Sequence, residues 1–303
     1  MRPPVHRLEV LSRVTPLGVR FRDESTGALV GDGLQVSAFP EGQPRLRRAS
    51  IVNRSGVHVL MDLPGLRDLE YGGQGVPPGD AGDAAWWASL PARKPFTVEV
   101  EDAMGRFLPC SFRAELPFPG LFQLTCPGLP PAPPLSGPPA VPLFSAPTRV
   151  SGGPLAVLRA ELWDADAQAP AAWACVEATP AGGTPARGVT DAQGRLALFF
   201  PYPEPVDFPP GPIEDPDALP PGPPLLEQTW ALQVRVFYAR RTPVPARPDL
   251  CDTLSQPSSW AWTDTDSSVE LLEPTLRYGQ ELVLKTQDAP RSRLWITSTG
   301  SLP

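Results

Sequence analysis

The two histidines are the side chains best suited to proton transfer near neutral pH. His6 lies close to the start of the sequence, and His58 lies in a segment, 56–60, whose residues are typical of a strand. A hydrolase would need a nucleophile beside one of them, but the sequence has no GxSxG, HExxH, P-loop or GxGxxG motif. We therefore predict no enzyme, no catalytic residue and no cofactor, and we keep a hydrolase that uses His58 as an alternative.

Side chains that could bind a metal are few. The cysteines have neither CxxC nor Cys/His spacing, which argues against zinc: Cys110, Cys126, Cys175 and Cys251. We expect them to be buried thiols in a reducing compartment.

Two pairs of aspartates stand two residues apart and could hold calcium on a loop. They are Asp164 with Asp166, and Asp264 with Asp266. Neither pair carries the glycine and distal glutamate of a full calcium loop, so we expect solvated turn residues and no metal.

Tryptophans occur in two close pairs. Trp260 and Trp262 share one face if the chain is extended there, and Trp86 is adjacent to Trp87. Exposed pairs could stack on sugars or on a partner, whereas buried pairs would anchor a loop to its domain, which we favour.

The acidic segment, residues 201–224, has eleven prolines, five acidic residues and no basic residue. It separates two strong strand patterns, which predicts a long loop inserted within a domain. A stiff proline-rich loop suits docking onto another protein, although GC-rich codon usage also favours proline. Our candidate partner-binding residues are Phe208, Pro209, Pro210, Ile213, Glu214 and Asp215, together with Trp260 and Trp262.

The elements that position these residues must be mostly strands and turns. The chain has 44 prolines and 26 glycines in 303 residues, and a proline inside a helix costs about 3 kcal/mol. Long helices, helical bundles and coiled coils are therefore excluded. No stretch has the length or apolarity of a membrane span, and residues 1–18 lack the apolar run of a signal peptide. We expect a cytoplasmic protein that could be assembled into a released particle.

The formal net charge of −7 argues against a nucleic-acid partner. The densest basic cluster is small and consists of Arg45, Arg47 and Arg48. We interpret the preference for arginine over lysine as codon usage, not as phosphate binding.

Alternating apolar residues predict strands in both halves of the chain. A run at period two extends from Leu108 to Leu116 and places Cys110 on the buried face. Similar runs lie at 158–162 and 232–238, and short strands are expected at 281–284 and 294–296. We predict an all-β protein with two sandwich domains of transthyretin-like or immunoglobulin-like type, 1–125 and 148–241. A proline-rich linker, 126–147, joins them, and a tail with one or two strands, 242–303, returns to one of them.

The pentads 102–106 and 191–195 both have the pattern Asp-Ala-x-Gly-Arg between predicted strands. Asp can accept backbone N–H bonds in such a turn, and Gly can adopt the left-handed conformation. We therefore predict two hairpin turns, and their repetition favours an internal duplication.

Residues 176–200 resemble the carboxypeptidase regulatory-like module, a transthyretin-like or prealbumin-like β-sandwich. The resemblance is carried by 176–178 and 188–196, and 160–166 is similar to the family's first hairpin. It covers about a third of the chain. The acidic segment departs from the family pattern. The resemblance implies a noncatalytic support or binding surface, and proteins of this kind also occur near genes of phage-tail-like contractile particles.

These observations favour a noncatalytic structural or adaptor subunit of a large bacterial assembly, with a phage-tail-like contractile injection particle as the specific hypothesis. Its partners would be other protein subunits, including further copies of the same chain. A glycan-binding module or surface adhesin is the alternative, because of the tryptophan pairs.

Overall fold

The computed structural model describes residues 14–71, 92–128, 137–150, 154–205 and 224–300. Its regular structure is nearly all β, as predicted, with two short α-helices in the described ranges. These helices are α1, Arg67–Tyr71, and α2, Leu250–Leu254. Asp249 caps α2, because its side chain accepts hydrogen bonds from the backbone N–H groups of Cys251 and Asp252.

The first half of the chain forms three sheets around one core. The four-stranded sheet has the order β5-β4-β8-β9, and the two three-stranded sheets have the orders β1-β7-β6 and β10-β2-β3. The strands are β1 Leu17–Val19, β2 Phe21–Asp23, β3 Leu29–Val30, β4 Leu34–Pro40, β5 Arg48–Ala49, β6 Ile51–Val52, β7 His58–Leu60, β8 Lys94–Asp102, β9 Cys110–Leu116 and β10 Val141–Leu143.

Alternation explains the packing of this first sheet system. Val98 and Val100 of β8 point into the core while Glu99 and Glu101 lie on the opposite face, because side chains alternate along a strand. The run from Leu108 to Leu116 has its alternate residues buried, which confirms that prediction.

The second half forms an eleven-stranded system whose main path is β12-β11-β21-β17-β16-β13-β14. The remaining strands branch from it, with β15 and β20 on β11, β18 on β17 and β19 on β16. The strands are β11 Leu155–Asp164, β12 Ala169–Pro170, β13 Cys175–Pro180, β14 Ala186–Val189, β15 Arg195–Pro201, β16 Thr229–Phe237, β17 Ser258–Trp262, β18 Ser268–Val269, β19 Thr275–Arg277, β20 Leu282–Leu284 and β21 Leu294–Thr297.

The two Asp-Ala-x-Gly-Arg pentads form turns of the same kind. Asp102 accepts hydrogen bonds from the backbone N–H groups of Met104 and Arg106, and Asp191 accepts them from those of Gln193 and Arg195. Their glycines have positive φ angles, as predicted. The first turn joins the paired strands β8 and β9, but the second leads from β14 to β15, which pairs with β11 instead. The second turn is therefore not a hairpin. The internal duplication stays a prediction.

Two predictions about the connecting segments need correction. Part of the predicted linker forms β10, which pairs in parallel with β2 at the edge of its sheet, where proline is tolerated. The tail contributes five strands, β17 to β21, where one or two were expected, because its short apolar runs complete the β11 and β16 sheets. The exact domain boundaries stay a prediction.

The prediction of four buried thiols is wrong for two of the cysteines and confirmed for the other two. Cys126 and Cys251 form a disulfide across a sequence separation of 125, because the tail returns to the segment between β9 and β10. Cys110 and Cys175 are buried free thiols, and burial raises the pKa of each to about 12.

Candidate functional site

His58 and Ser50 form the one contact between a histidine and a hydroxyl in the described ranges. Ser50 lies between β5 and β6, where its N–H donates to the carbonyl of Val36. The ring of His58 lies on β7, and its Nδ1 is 3.0 Å from Ser50 Oγ. His58 is completely buried and contacts Phe21 edge to face, with a centroid distance of 5.2 Å. The topology thus pairs a nucleophile with a candidate base, an arrangement that the sequence motifs did not reveal.

The chemistry of this pair is weak. Burial lowers the pKa of His58 to about 4, because the imidazolium loses its hydration. Its Nε2 has no hydrogen-bond partner within the described part of the chain, so no carboxylate orients the ring or stabilises its charge. A base with this pKa removes a serine proton poorly at neutral pH. The geometry therefore favours a structural hydrogen bond over a catalytic dyad.

Ser50 also lines an open groove of about 420 Å³ between the outer face of β4 and β8 and the tail. Side chains alternate between the two faces of β4 and β8, and this alternation places polar residues on the groove side. Ser37 of β4 and Glu99 and Glu101 of β8 all lie on the face opposite the core. Arg247 completes the groove from the tail.

Ion pairs neutralise the charges in the groove. Arg47 lies 2.6 Å from Glu99, and Arg247 lies 3.6 Å from the same carboxylate while it also pairs with Glu101. Two arginines and two glutamates leave no net charge, so neither a simple anion nor a cation is strongly favoured. The groove offers hydrogen-bond donors and acceptors that suit an uncharged polar ligand.

The tryptophan pair does not form an exposed platform. Trp262 is buried and its indole N–H donates to Thr297 Oγ1 at 3.1 Å, while Trp260 is half-buried against Gly300. Phe208, Pro209, Pro210, Ile213, Glu214 and Asp215 lie outside the described residues, as do Trp86 and Trp87. Partner binding by this set stays a prediction.

The aspartate pairs have other partners than a metal. Asp164 is buried and paired with Arg240 at 2.9 Å, so the expectation of a solvated turn residue is wrong at that position. Asp166 accepts from Ser298, and Asp264 accepts from the N–H of Asp266. No group of three metal-ligating side chains occurs in the part of the chain that the structure describes. In the same ranges, no helix is long and apolar enough to cross a membrane.

Comparison with known proteins gives no family. No family model matches the chain, and no curated protein matches it. Among solved structures it is similar to the shaft pilin SpaA from Lactobacillus rhamnosus GG, with 8 % identity, a TM-score of 0.21 and coverage of 95 % of this chain and 100 % of the pilin. A C-terminal fragment of the pilus adhesin SpaC from the same organism gives 9 % identity, a TM-score of 0.17 and coverage of 93 % and 96 %.

TM-scores this low carry no functional assignment. The resemblance to carboxypeptidase regulatory-like modules likewise gains no support from a family match, and it stays a prediction.

Proposed function

We propose that this chain is a noncatalytic structural or adaptor subunit of a larger protein assembly. The observation that carries the proposal is the way its two halves are locked together. Trp173, Val189 and Leu250, from the second half and the tail, belong to the core of the first domain, and the Cys126–Cys251 disulfide closes the same junction. Two domains that share a core move as one body, which suits a spacer between neighbouring subunits.

Further contacts support a stiff junction. The indole N–H of Trp173 donates to the carbonyl of Pro245 at 2.9 Å, and the side-chain amide of Gln256 donates to the carbonyl of Trp173. The backbone N–H of Ser111 on β9 donates to the carbonyl of Pro248. The tail is therefore held by both halves at once.

The specific hypothesis within this proposal is a phage-tail-like contractile injection particle, which rests on the resemblance of residues 160–200 alone. Localisation in the cytoplasm belongs to the same hypothesis. The disulfide favours an oxidising environment for the folded chain, which a released particle would meet outside the cell.

Size fractionation of a native lysate tests the proposal. We expect the endogenous chain to elute well above its monomer mass of 32.6 kDa, together with other polypeptides in fixed ratio. Elution as a monomer at native concentration, with no companion protein, would contradict it.

A second candidate, glycan binding, is favoured by the neutral polar groove instead of by the tryptophans. Gln35, Ser37 and Glu101 offer the hydrogen-bond groups that sugar hydroxyls require. Binding on a glycan array that is lost in Glu101→Ala but kept in Trp260→Ala would support this candidate. A blank array with the folded wild type would exclude it.

A further inference from the structure

The arginine strip, residues 44–54, is the most basic surface of the first domain. It contains Arg45, Arg47, Arg48 and Arg54 and no acidic residue. Apart from Ser50, every residue in it is exposed, including three large apolar side chains. Leu46, Ile51 and Val52 have exposed fractions of 38 %, 66 % and 43 %. A surface that combines arginines with exposed aliphatic side chains is typical of a protein-binding site.

The backbone of the strip has two strand edges. β5 is the end strand of its sheet and β6 is the end strand of another, so each pairs on one side only in the described structure. Edge strands offer unpaired backbone groups to a bound segment.

Two arginines of the strip already have partners. Glu99 pairs with Arg47, and Arg48 donates to the backbone carbonyl of Asp62. Arg45 and Arg54 form no ion pair with a described residue. These two guanidinium groups are the ones open to an external acidic group.

The acidic segment has the complementary chemistry. It carries five carboxylates and no basic residue, and its eleven prolines supply carbonyl acceptors without N–H donors. Arginine supplies five N–H donors and no acceptor, so the two sequences match in hydrogen bonding as well as in charge. Phe208 and Ile213 offer apolar side chains for Ile51 and Val52.

The fold places the base of the acidic segment at the end of the second domain that lies away from the arginine strip. The carbonyl of Glu204, at the base of the acidic segment, accepts from the indole N–H of Trp230 near the start of β16. The end of β16 pairs Phe237 with Cys175, beside Trp173, which contacts the tail at Pro245. The eight residues from Trp230 to Phe237 span about 23 Å along the strand.

The strip lies beyond that far end, because Arg247 and Arg47 share Glu99. Eighteen residues anchored at Pro205 and Pro224 can extend about 28 Å out and back. The length of the second domain takes up most of this reach. The segment therefore reaches the strip of a neighbouring molecule more easily than the strip of its own chain.

We propose that the arginine strip of one copy binds the acidic segment of a second copy, head to tail. The proposal rests on the proposed structural function and names the partner as the same chain. Because the two surfaces differ, the contact is head to tail, and its repetition joins subunits into a closed ring or an open chain.

Charge exchange in the full-length protein tests the contact. We expect the wild type to sediment as a concentration-dependent series of oligomers at low salt, and to dissociate as salt screens the contact. Arg45→Glu with Arg54→Glu should weaken association about tenfold or more, and so should Glu214→Lys with Asp215→Lys. A mixture of the two variants should recover association, because each supplies the charge that the other lost.

Arg277→Glu with Arg291→Glu is the matched control, since both arginines are exposed in the second half of the described structure. It should associate like the wild type, and unchanged thermal unfolding should show that every variant is folded. A wild type that stays monomeric at high concentration would overturn the proposal.

A synthetic peptide of residues 201–224, titrated onto the full chain, separates the remaining outcomes. Binding that is lost in the strip variant supports the contact, whereas binding that is unaffected by Arg45→Glu and Arg54→Glu contradicts it. If the chain recruits other proteins through its acidic segment but never another copy, this inference fails while the proposed structural function stands.

Discussion

Cys126 and Cys251 form a disulfide that joins the segment between β9 and β10 to the first turn of α2. The residues on either side of α2 also contact β9 and Trp173, so the covalent bond and the packing act at one junction. A cross-link over such a long sequence separation lowers the conformational entropy of the unfolded chain, which favours the folded state.

Replacing both disulfide cysteines by serine should lower the free energy of unfolding by about 2–5 kcal/mol. Chemical denaturation measures this loss, and the wild type under a strong reductant should behave like the variant. Thiol titration of the denatured, unreduced protein should give only the two thiols of Cys110 and Cys175. Four reactive thiols in that experiment would refute the pairing.

The buried His58 should make stability depend on pH. Its folded pKa of about 4 lies below the ordinary 6.5, so the unfolded state binds a proton first as the pH falls. Stability from this group is therefore complete above pH 6.5 and is lost between 6.5 and 4, by about 2 kcal/mol on going from pH 7 to 5.

His58→Asn is the control for that dependence. It removes the titrating ring while leaving a polar group of similar reach beside Ser50. Unfolding curves at pH 7 and pH 5 should differ clearly less for the variant than for the wild type, and equal differences would show that His58 does not cause the effect.

Ser50 should not behave as an activated nucleophile. The imidazole at 3.0 Å is a poor base, and its Nε2 lacks a partner in the described ranges. A fluorophosphonate probe should therefore leave the folded protein unlabelled at neutral pH. Labelling that disappears in Ser50→Ala and in His58→Ala would restore the hydrolase alternative.

Gly194 should be irreplaceable in the second pentad turn. It has a φ angle of +76°, and a Cβ there would lie 2.4 Å from the carbonyl oxygen of Leu162. Gly194→Ala should destabilise the protein by about 2–4 kcal/mol, since a clash adds to the cost of the left-handed conformation. Gly182→Ala is the matched control, with a φ angle of +73° and no atom within 4 Å, and it should cost about 1 kcal/mol. Equal losses in thermal or chemical unfolding would contradict the clash.

The strands were predictable where a long run alternates, as in β9, β11 and β16, because each has one face on a core. Local pattern also predicted the two pentad turns, since Asp and Gly act within the turn itself. Of the tail strands, β20 and β21 were predicted from their short apolar runs. β17, β18 and β19 were missed, because they are stabilised by pairing with other strands instead of by their own pattern.

The candidate site was less predictable than the fold. Glu99 and Glu101 could have been placed on one outer face from their alternation with Val98 and Val100. Nothing in the sequence brings Arg247 to Glu99, or Ser50 to His58, because those contacts follow from long-range packing. The same holds for Cys126 and Cys251, which no spacing rule connects.

Quantitative affinity isolation tests the central claim, that the chain acts by binding other polypeptides. The tagged full-length protein should be recovered from native lysate with protein partners in fixed ratio, and Glu214→Lys with Asp215→Lys should lose them while remaining folded. Recovery of the wild type alone would contradict the central claim, and recovery of the same partners with both proteins would exclude the acidic segment as the binding site.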